Sequence, residues 1–371
     1  MSALRSSWPE VTLGDVCEFK YGKSLPESAR AGGSVPVFGS NGQVGNHDEA
    51  LTEGPTIVIG RKGSFGEVNF SPSACWPIDT TYFVDSTATK ADLRWLAYRL
   101  AALGLNKLNK AAAVPGLNRE DAYRQRLLLP PLPEQRRIAE ILDKADALRA
   151  MRRAALAQLD TLTQSIFLDM FGDPATNPKG WPVHKMEDVA KIVSGATPRT
   201  DDESYWDGEV NWVTPKELSA LERIYISGTE RRITQRGLES CAASILPPGS
   251  VLFSSRAPIG HTAICTVPMA TNQGFKSFVP HPSVLEPHFL LFWLRLRRSF
   301  LEGLGTGATF KEVSKAVVAR IDLYVPPFDL QSQFAGRVVA VERVRAMQRE
   351  EREQLDVLFA SLQHRAFRGE L

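Results

Sequence analysis

Leu129-Pro-Pro-Leu-Pro-Glu-Gln135 ends one segment of the chain and leads into a stretch, Glu134 to Met170, without glycine or proline. A second proline pair, in Val325-Pro-Pro-Phe328, leads into another long stretch that extends towards the C-terminal end. Proline interrupts a preceding element and is tolerated in the first turn of a helix. Both proline pairs therefore predict the start of a long helix.

The segments that precede these stretches resemble each other. Trp8-Pro9 opens the first and Trp181-Pro182 opens the second. Ile57–Gly66 matches Val251–Gly260, since each is a short β-rich run followed by an arginine and a turn with glycine. The second copy carries an insertion, which we place within Asp201–Glu239. The chain is therefore predicted to be a tandem repeat of two diverged modules related by a pseudo-twofold rotation.

Apolar residues recur in the first long stretch with the 3-4 spacing of a coiled-coil seam, at Ile138, Ile141, Ala145, Leu148, Ala155, Leu159, Leu162 and Ile166. The second has Val338, Val341, Leu355, Phe359, Leu362 and Ala366, with the polar residues Arg345, Gln348 and Arg352 at seam positions. Each apolar stripe needs a partner to cover it, and the other helix is the simplest one. Antiparallel pairing would place one module at each end of a stiff spacer. Parallel pairing would require the second module itself to span the length of the rod.

Each module is predicted to be α+β with irregular connections. Short strands are expected at Val35–Phe38, Thr56–Ile59, Val210–Val213 and Ser250–Phe253, and helices at Lys90–Leu103 and Pro287–Phe300. The fold class is thus α+β, with two α/β domains joined by an antiparallel pair of long helices. The expected boundaries are residues 1–133 for the first domain, 134–170 for the central helix, 171–328 for the second domain and 329–371 for the C-terminal helix.

Composition restricts the class of protein. Of the 371 residues, 43% are hydrophobic and 23% are charged, with a net charge of +2, which is ordinary for folded domains. The four cysteines form no C-x-x-C pair, so we expect reduced thiols. The N-terminal residues lack the apolar core of a secretion signal, and no apolar run has the length of a membrane span. These features predict a cytoplasmic protein.

Three stretches look catalytic but lack a required part. Gly22-Lys-Ser24 resembles the end of a P-loop, but Cys17 stands where the first glycine belongs. Gly303–Ala308 fits a dinucleotide-binding string but follows a predicted helix rather than a strand. Val325-Pro-Pro-Phe328 lacks the asparagine of amino-methyltransferases, and the six histidines have no metal spacing. The sequence predicts no catalytic residues, no metal ligands and no cofactor site in this chain.

Both modules carry turns that mix glycine with residues suited to nucleic acid. Arg, Asn and Gln can read base edges, while Lys, Ser and Thr suit phosphates. The candidate DNA-binding residues are Tyr21, Lys23, Asn41, Gln43, Arg61, Lys62, Ser64, Lys107 and Lys110 in the first module, and Arg199, Lys216, Arg256, Asn272, Gln273, Lys276, Thr309 and Lys311 in the second. Arg61 and Arg256 rank first because they occupy equivalent turns. The alternatives are that these are ordinary solvated loops, and that either arginine ties its turn to its own domain.

The whole pattern resembles the specificity subunit of type I restriction-modification systems. The resemblance rests on Leu129–Ile138, on Ser165–Pro174 followed by Trp181-Pro182, on Asn272-Gln-Gly-Phe275 and on Ala366–Leu371. One departure is that Pro327-Phe-Asp-Leu-Gln331 lacks the usual Glu-Gln pair, which leaves that helix start less certain.

The resemblance implies two target-recognition domains, each reading one half of a split double-stranded DNA sequence. It also implies that the two helices act as a ruler and dock two methyltransferase subunits, which would bind S-adenosylmethionine, with possible addition of restriction and motor subunits. The chain itself would be a non-catalytic DNA-recognition subunit. Alternatives are a coiled-coil scaffold with two protein-binding heads, and the specificity subunit of a related methylation-based phage-defence system.

Overall fold

The computed structural model describes residues 8–108, 116–256, 258–307 and 311–371, without the side chain of Asp160. It divides into two compact units. Unit 1 consists of Met1–Arg153 and Glu350–Leu371, and unit 2 of Ala154–Arg349. No helix in the described part of the chain combines the length and apolar character that crossing a membrane requires.

Short elements make up most of unit 1. In chain order they are β1 (Glu10–Thr12), α1 (Leu13–Val16), β2 (Lys20–Tyr21), β3 (Val35–Gly39), β4 (Gly42–His47), β5 (Thr56–Gly60), β6 (Val68–Ser71), β7 (Trp76–Pro77), β8 (Thr81–Val84), α2 (Leu93–Ala102), α3 (Arg119–Tyr123), β9 (Arg126–Leu128) and the start of the long helix α4 (Leu132–Phe171). The described strands form sheets of order β1-β9, β2-β8-β5-β6 and β4-β3-β7. The β3·β7 pair is parallel and the other pairs are antiparallel.

Unit 2 continues from the end of α4. Its elements are β10 (Val183–Lys185), α5 (Met186–Val189), β11 (Ala190–Ser194), β12 (Trp206–Val213), α6 (Pro215–Ala220), β13 (Tyr225–Ile226), β14 (Arg232–Ile233), α7 (Gln235–Glu239), β15 (Val251–Phe253), β16 (Thr262–Cys265), β17 (Ala270–Thr271), β18 (Lys276–Pro280), α8 (Pro287–Leu296), α9 (Arg298–Gly303), α10 (Lys315–Ala319), β19 (Asp322–Tyr324) and the start of α11 (Phe328–Ala366). The described strands form sheets of order β10-β19, β11-β18-β15-β16-β13 and β14-β12-β17.

The two units repeat one sheet topology. The pair β1-β9 matches β10-β19, β2-β8-β5-β6 matches β11-β18-β15-β16, and β4-β3-β7 matches β14-β12-β17. Even the parallel pair recurs, as β3·β7 and β12·β17. The extra strand β13 lies within the predicted insertion, Asp201–Glu239, and pairs in parallel with β16. The structure thus has the repeated α+β domains that the sequence predicts, although the helix predicted at Pro287–Phe300 is two helices, α8 and α9, that meet at Arg297.

Each unit buries part of each long helix in its core. In unit 1, Ile138 and Leu142 of α4 lie in one buried cluster with Trp95, and Ala366 of α11 lies in the same cluster. In unit 2 the corresponding contacts are aromatic, and the four buried rings are Phe167, Phe171, Phe289 and Phe334. Burying each such ring contributes about 1.5–3 kcal/mol. The ends of the helices are therefore fixed by the modules they enter.

The start of α4 is fixed by the buried amide of Gln135. Its Nε2 donates to the carbonyl of Pro130 at 2.8 Å, and its Oε1 accepts from the backbone N–H of Asp92 at 2.8 Å. Asp92 is the N-cap of α2. One side chain therefore provides a hydrogen-bond donor for the proline-rich segment before α4 and links that segment to the start of α2.

Gln331 does the same at the start of α11. Its Nε2 donates to the carbonyl of Pro326 at 2.7 Å, and its Oε1 accepts from the backbone N–H of Glu286, the N-cap of α8, at 2.9 Å. The helix begins at Phe328. The uncertainty about this helix start is thereby removed, because the motif retains the glutamine that makes the contacts.

The buried stripe of α4 differs from the predicted seam. Leu148 and Leu162 are 52% and 46% exposed, and Ile141 is only half-buried. The buried or half-buried positions described between Ile138 and Phe167 are Ile138, Ala139, Ile141, Leu142, Asp143, Ala145, Asp146, Arg149, Arg152, Ala155, Leu156, Leu159, Thr163, Ile166 and Phe167. Six of the eight predicted seam residues are thus buried or half-buried. The prediction was wrong at Leu148 and Leu162, because the neighbouring polar residues Arg149 and Thr163 occupy the stripe there. In α11, Arg345, one of the polar residues at predicted seam positions, is buried.

Candidate DNA interface

The predicted loops of unit 1 converge on the segment that joins β7 and β8. The carbonyl of Thr80 accepts three hydrogen bonds, from Ser40 Oγ at 2.7 Å and from the backbone N–H groups of Arg61 and Lys62 at 2.9 and 3.1 Å. This one acceptor holds the turn that begins at Ser40 and the turn that begins at Arg61 side by side. Residues that are about twenty positions apart in sequence thus share one surface.

Two glycines bring further loops to the same place. A Cβ at Gly22 would lie 2.1 Å from the carbonyl oxygen of Ile78, and a Cβ at Gly66 would lie 2.3 Å from the backbone nitrogen of Asn106. Only glycine permits these approaches. The first packs the Tyr21–Ser24 loop against the β7–β8 connection. The second packs the turn that contains Lys107 against the 61–66 turn.

An exposed tyrosine lies between two arginines at this surface. Tyr21 is 55% exposed, and the guanidinium carbons of Arg61 and Arg119 both lie 5.5 Å from the centroid of its ring. The Tyr21 ring meets that of Tyr82 edge to face, with centroids 5.1 Å apart. Burial, followed by the neighbouring Tyr21, raises the pKa of Tyr82 to about 12 against the opposing effect of the two arginines. This arrangement gives a rigid aromatic surface with positive charge on both sides.

The Arg61 side chain is held by its own unit. Its Nη2 donates to the carbonyl of Asp79 at 2.6 Å, so the alternative that this arginine ties its turn to the domain has geometric support. No carboxylate of the described residues forms an ion pair with Arg61, and Arg119 has only a long 3.9 Å contact with Glu120. The positive charge of the cluster therefore remains available to an anionic ligand.

Unit 2 builds the same junction from different side chains. The carbonyl of Gly274 accepts from the backbone N–H groups of Ser255 and Arg256 at 2.8 and 3.4 Å. A Cβ at Gly195 would lie 1.9 Å from the carbonyl oxygen of Asn272, and the hydroxyl of Thr197 donates to the Gln273 side chain. The predicted loops at 197–200, 255–256 and 272–276 therefore converge as their counterparts do.

Arg61 and Arg256 lie in equivalent turns but at successive positions. The backbone N–H of Leu117 donates to the carbonyl of Arg61 at 2.9 Å, and that of Val313 donates to the carbonyl of Ser255 at 2.9 Å. The structural counterpart of Arg61 is therefore Ser255, which corrects the pairing of the two arginines.

The isolated β-bridges give the same register. Lys62 bridges to Gly116, and Arg256 bridges to Glu312. Arg256 is thus the counterpart of Lys62. Matching arginine with arginine misaligned the turns by one residue, because backbone hydrogen bonds rather than side-chain identity set the register of a turn.

A carboxylate joins two of the predicted basic residues of unit 2. Oε2 of Glu312 accepts from Arg256 Nε at 2.8 Å, and Oε1 lies 3.2 Å from Lys276 Nζ. Burial by itself raises the pKa of Glu312, but hydrogen bonds from Arg256 and Lys276 outweigh it, so the pKa lies below its usual value. Lys276 is only 8% exposed. It supports Glu312 from within rather than presenting an ammonium group at the surface.

The other candidate DNA-binding residues differ in exposure and in hydrogen-bond partners. Those with exposed side chains are Lys23, Asn41, Gln43, Lys62, Ser64, Lys107, Lys216, Gln273 and Lys311. Arg199 is exposed but forms an ion pair with Asp201 at 2.8 Å, and the side chain of Asn272 accepts from the backbone N–H of Gly274. Lys110 and Thr309 lie outside the described residues.

Sequence reasoning missed Arg119 and Glu312. Arg119 opens the short helix α3, where Asn118 is the N-cap, and nothing in its spacing from Arg61 indicates that both flank Tyr21. Glu312 follows the candidate Lys311 directly, but a search for hydrogen-bond donors passes over an acid. Groups of three or more His, Cys, Asp or Glu that could hold a metal ion do not occur among the residues the structure describes.

The repeated fold agrees with comparisons to known proteins. The family model described as "Type I restriction modification DNA specificity domain" matches residues 5–160 and again 178–356. The chain belongs to this family.

Two proteins of Methanocaldococcus jannaschii are similar to parts of the chain. The type I restriction enzyme MjaIX specificity subunit is 36% identical over 43% of this chain and 37% of that protein. The putative type I restriction enzyme MjaX specificity subunit is 23% identical over 67% of this chain and 59% of that protein. The chain thus spans less than two thirds of the length of these relatives.

Solved structures share the fold over the whole chain. A crystal structure of the type I restriction-modification system S subunit from M. genitalium superposes with a TM-score of 0.63 at 15% identity, over 99% of both chains. A chain from work on complex assembly and conformational transition of the type I R-M system gives a TM-score of 0.58 at 18% identity, over 100% of both.

Proposed function

We propose that this chain is the DNA specificity subunit of a type I restriction-modification complex. Each module reads one half of a bipartite duplex target, through the loops that meet at Thr80 in the first module and at Gly274 in the second. The observation that carries the proposal is this repeated junction, because two diverged modules of one topology bring side chains of the types that suit base edges and phosphates to equivalent places. Their divergence fits two different half-sites.

The two long helices set the distance between the modules. Within unit 1, Arg137 of α4 donates to the carbonyl of Leu371, Arg149 pairs with Asp356 and Arg152 pairs with Glu351. The residue numbers of the α11 partners decrease as those of α4 increase, which supports antiparallel pairing of α4 and α11 as a spacer. Residues 1–133 and 171–328 are then the two target-recognition domains, with residues 134–170 and 329–371 as the spacer helices and a pseudo-twofold relation between the halves. Modules at opposite ends would contact half-sites about one turn of B-DNA apart, ~34–36 Å.

Methylation itself occurs in partner subunits that bind S-adenosylmethionine and turn the target adenine out of the stack. Both helices leave apolar side chains exposed, among them Met151 of α4 and Val357 of α11, which supports docking of two methyltransferase subunits on this region. Restriction and motor subunits would join the same assembly. This chain would supply recognition and no catalytic group.

Sequencing of methylated adenines in cells that carry this chain and its methyltransferase partner tests the proposal. We expect a split motif with a fixed gap, which disappears when the chain is deleted. Methylation that is independent of the chain, or a continuous motif, would contradict it. Failure of the assembled complex to bind any duplex would favour a scaffold with protein-binding heads.

Variants of the first module sharpen the test. Arg61→Ala and Arg119→Ala should each weaken recognition of one half-site only, because both arginines flank Tyr21 in a single module. Lys90→Ala, an exposed change away from the loop junction, is a control. Equal loss at both half-sites would exclude the one-module, one-half arrangement.

A further inference from the structure

Glu312 of the second module is held from several sides. Its backbone N–H donates to the carbonyl of Thr306 at 3.0 Å, and the N–H of Thr306 donates back at 3.1 Å. It also bridges to the backbone of Arg256. The nearly buried Lys276 fixes one carboxylate oxygen, which leaves the other for Arg256. The carboxylate is therefore a fixed reference point rather than a mobile surface group.

This reference point orients the guanidinium of Arg256. The contact uses Nε, and none of the described residues accepts a hydrogen bond from the terminal Nη1 and Nη2 groups. The side chain is 46% exposed. An arginine held at Nε presents its two terminal nitrogens as a pair of donors in one plane. The base edge that matches such a pair is the O6 and N7 of guanine in the major groove.

The ion pair also removes charge. Arg256 and Lys276 share one carboxylate, so the site offers less attraction to a phosphate than two free cations would. A cation that is free to move binds any phosphate and adds affinity without sequence information. A partly neutralised arginine in a fixed orientation gains most from an acceptor pair of matching geometry. The arrangement therefore favours discrimination between bases over a high affinity for any DNA.

The first module has different residues at the two equivalent positions. Its counterparts of Arg256 and Glu312 are Lys62 and Gly116, and Lys62 is exposed. Lysine acts as a point charge, and glycine provides no carboxylate to orient it. The two modules thus differ at one pair of equivalent positions in a manner that changes what they recognise.

We propose that Glu312 is a positioning residue for specificity, which holds Arg256 to read a guanine in the half-site of the second module. This inference rests on the proposed function, and it adds that the half-site of the second module contains a guanine that Arg256 contacts. The competing role, in which Arg256 binds a DNA phosphate, predicts different outcomes in the experiments below.

The first experiment compares the full chain with Glu312→Gln, each assembled with its methyltransferase partner. Binding is measured on the cognate duplex and on a duplex with the second half-site scrambled. We expect the ratio of the cognate to the scrambled affinity to fall about 5- to 150-fold, the range for one lost bidentate base contact, mainly because binding to the cognate duplex weakens. The control is Glu302→Gln, which removes a carboxylate paired with Arg298 at 2.8 Å in the same unit and should leave the ratio unchanged.

The second experiment replaces guanine in the second half-site by 7-deazaguanine, which lacks the N7 acceptor. This change should weaken binding of the wild-type complex but should have little effect on Arg256→Lys, which cannot make the paired contact. The lysine variant keeps the charge and remains informative should Glu312→Gln fail to fold. A phosphate role predicts instead that wild type and Arg256→Lys tolerate the base analogue equally.

Three results would overturn the proposal while bipartite recognition stands. These are an unchanged affinity ratio in Glu312→Gln, equal tolerance of 7-deazaguanine by wild type and Arg256→Lys, and a second half-site without guanine on either strand. Absence of bipartite recognition by the wild-type complex would overturn the proposed function as well.

Discussion

Arg149 of α4 and Asp356 of α11 form an ion pair inside unit 1, with Nε 2.6 Å from Oδ1. The same guanidinium lies 4.4 Å from the centroid of the Phe359 ring and contacts Asp146 at 3.0 Å. The pair therefore replaces an apolar contact in the stripe between these helices. A charged group in such a stripe specifies which residues face each other more strictly than leucine would.

Asp356→Ala should lower the stability of unit 1 by about 1 kcal/mol, because it leaves the partly buried Arg149 without its closest carboxylate. The urea midpoint of the unfolding transition, monitored by circular dichroism, measures the change. Glu353→Ala, an exposed change on the same helix, is the control and should have less than half the effect. Equal effects would mean that the ion pair contributes nothing specific.

Gln135→Leu and Gln331→Leu should each lower the free energy of unfolding by about 2–4 kcal/mol, because each change leaves a buried carbonyl and a partly buried N–H group without their hydrogen-bond partner. The urea midpoint again measures the loss, and Gln158→Leu at an exposed position of α4 is the control. The two glutamines make equivalent contacts, so losses of similar size are expected. A large effect at only one of them would show that the two helix starts are not equivalent.

Gly22→Ala and Gly195→Ala should displace the loops that they anchor, because the new Cβ would meet a backbone oxygen at 2.1 and 1.9 Å. Overpacking of this kind costs about 1–3 kcal/mol or more, and each variant should lose recognition of its own half-site. Gly54→Ala and Gly228→Ala, where a Cβ would meet nothing within 4 Å, are matched controls for the two modules. Retention of both half-sites by the variants would refute the role of these loops.

The Glu312 ion pairs should make stability depend on pH. Its pKa in the folded chain is lower than the usual value of 4.5, so unfolding binds a proton when the pH is near that value. The stabilisation is fully present above about pH 4.5 and is lost as the pH falls through the lower folded-state pKa. Urea midpoints of wild type and Glu312→Gln should therefore differ at pH 7 and converge in acid. A constant difference would argue against an ionised Glu312.

Insertion of seven residues into both α4 and α11 should lengthen the preferred gap in the DNA target. Seven residues preserve the stripe and add about 10 Å of helix, which corresponds to about three base pairs. Methylome sequencing of cells that carry the longer chain measures the gap. An unchanged gap would exclude the helices as the ruler.

The repeat and its secondary structure were predictable because both depend on local sequence patterns. The proline pairs and the glycine-free stretch predict the helix starts, and the β-rich runs before the turns predict β5 and β15. The pairing of β3 with β7 was not predictable, because residues 40–75, with three other strands, separate them and leave no local signal. The seam of α4 was misread at Leu148 and Leu162 because polar residues share the stripe.

The candidate site likewise has features that local sequence patterns predict and features that depend on the fold. Residue type selected loops that the structure brings together in each module, but their convergence depends on single acceptors, the carbonyls of Thr80 and Gly274, which have no signature in sequence. Lys276 was selected for its charge, although its position one residue into β18 turns it inwards. Arg119 was omitted because only the fold brings it to Tyr21.

Unit 1 is discontinuous, since Glu350–Leu371 completes what Met1–Arg153 begins. During synthesis on the ribosome, the Tyr98 ring cannot meet Phe359, and Ala366 cannot enter its buried cluster, until unit 2 and α11 have been made. The apolar surface of Met1–Arg153 that α11 covers therefore stays exposed while unit 2 is being synthesised. A premature stop anywhere before the last helix would damage the part of the protein that was translated first.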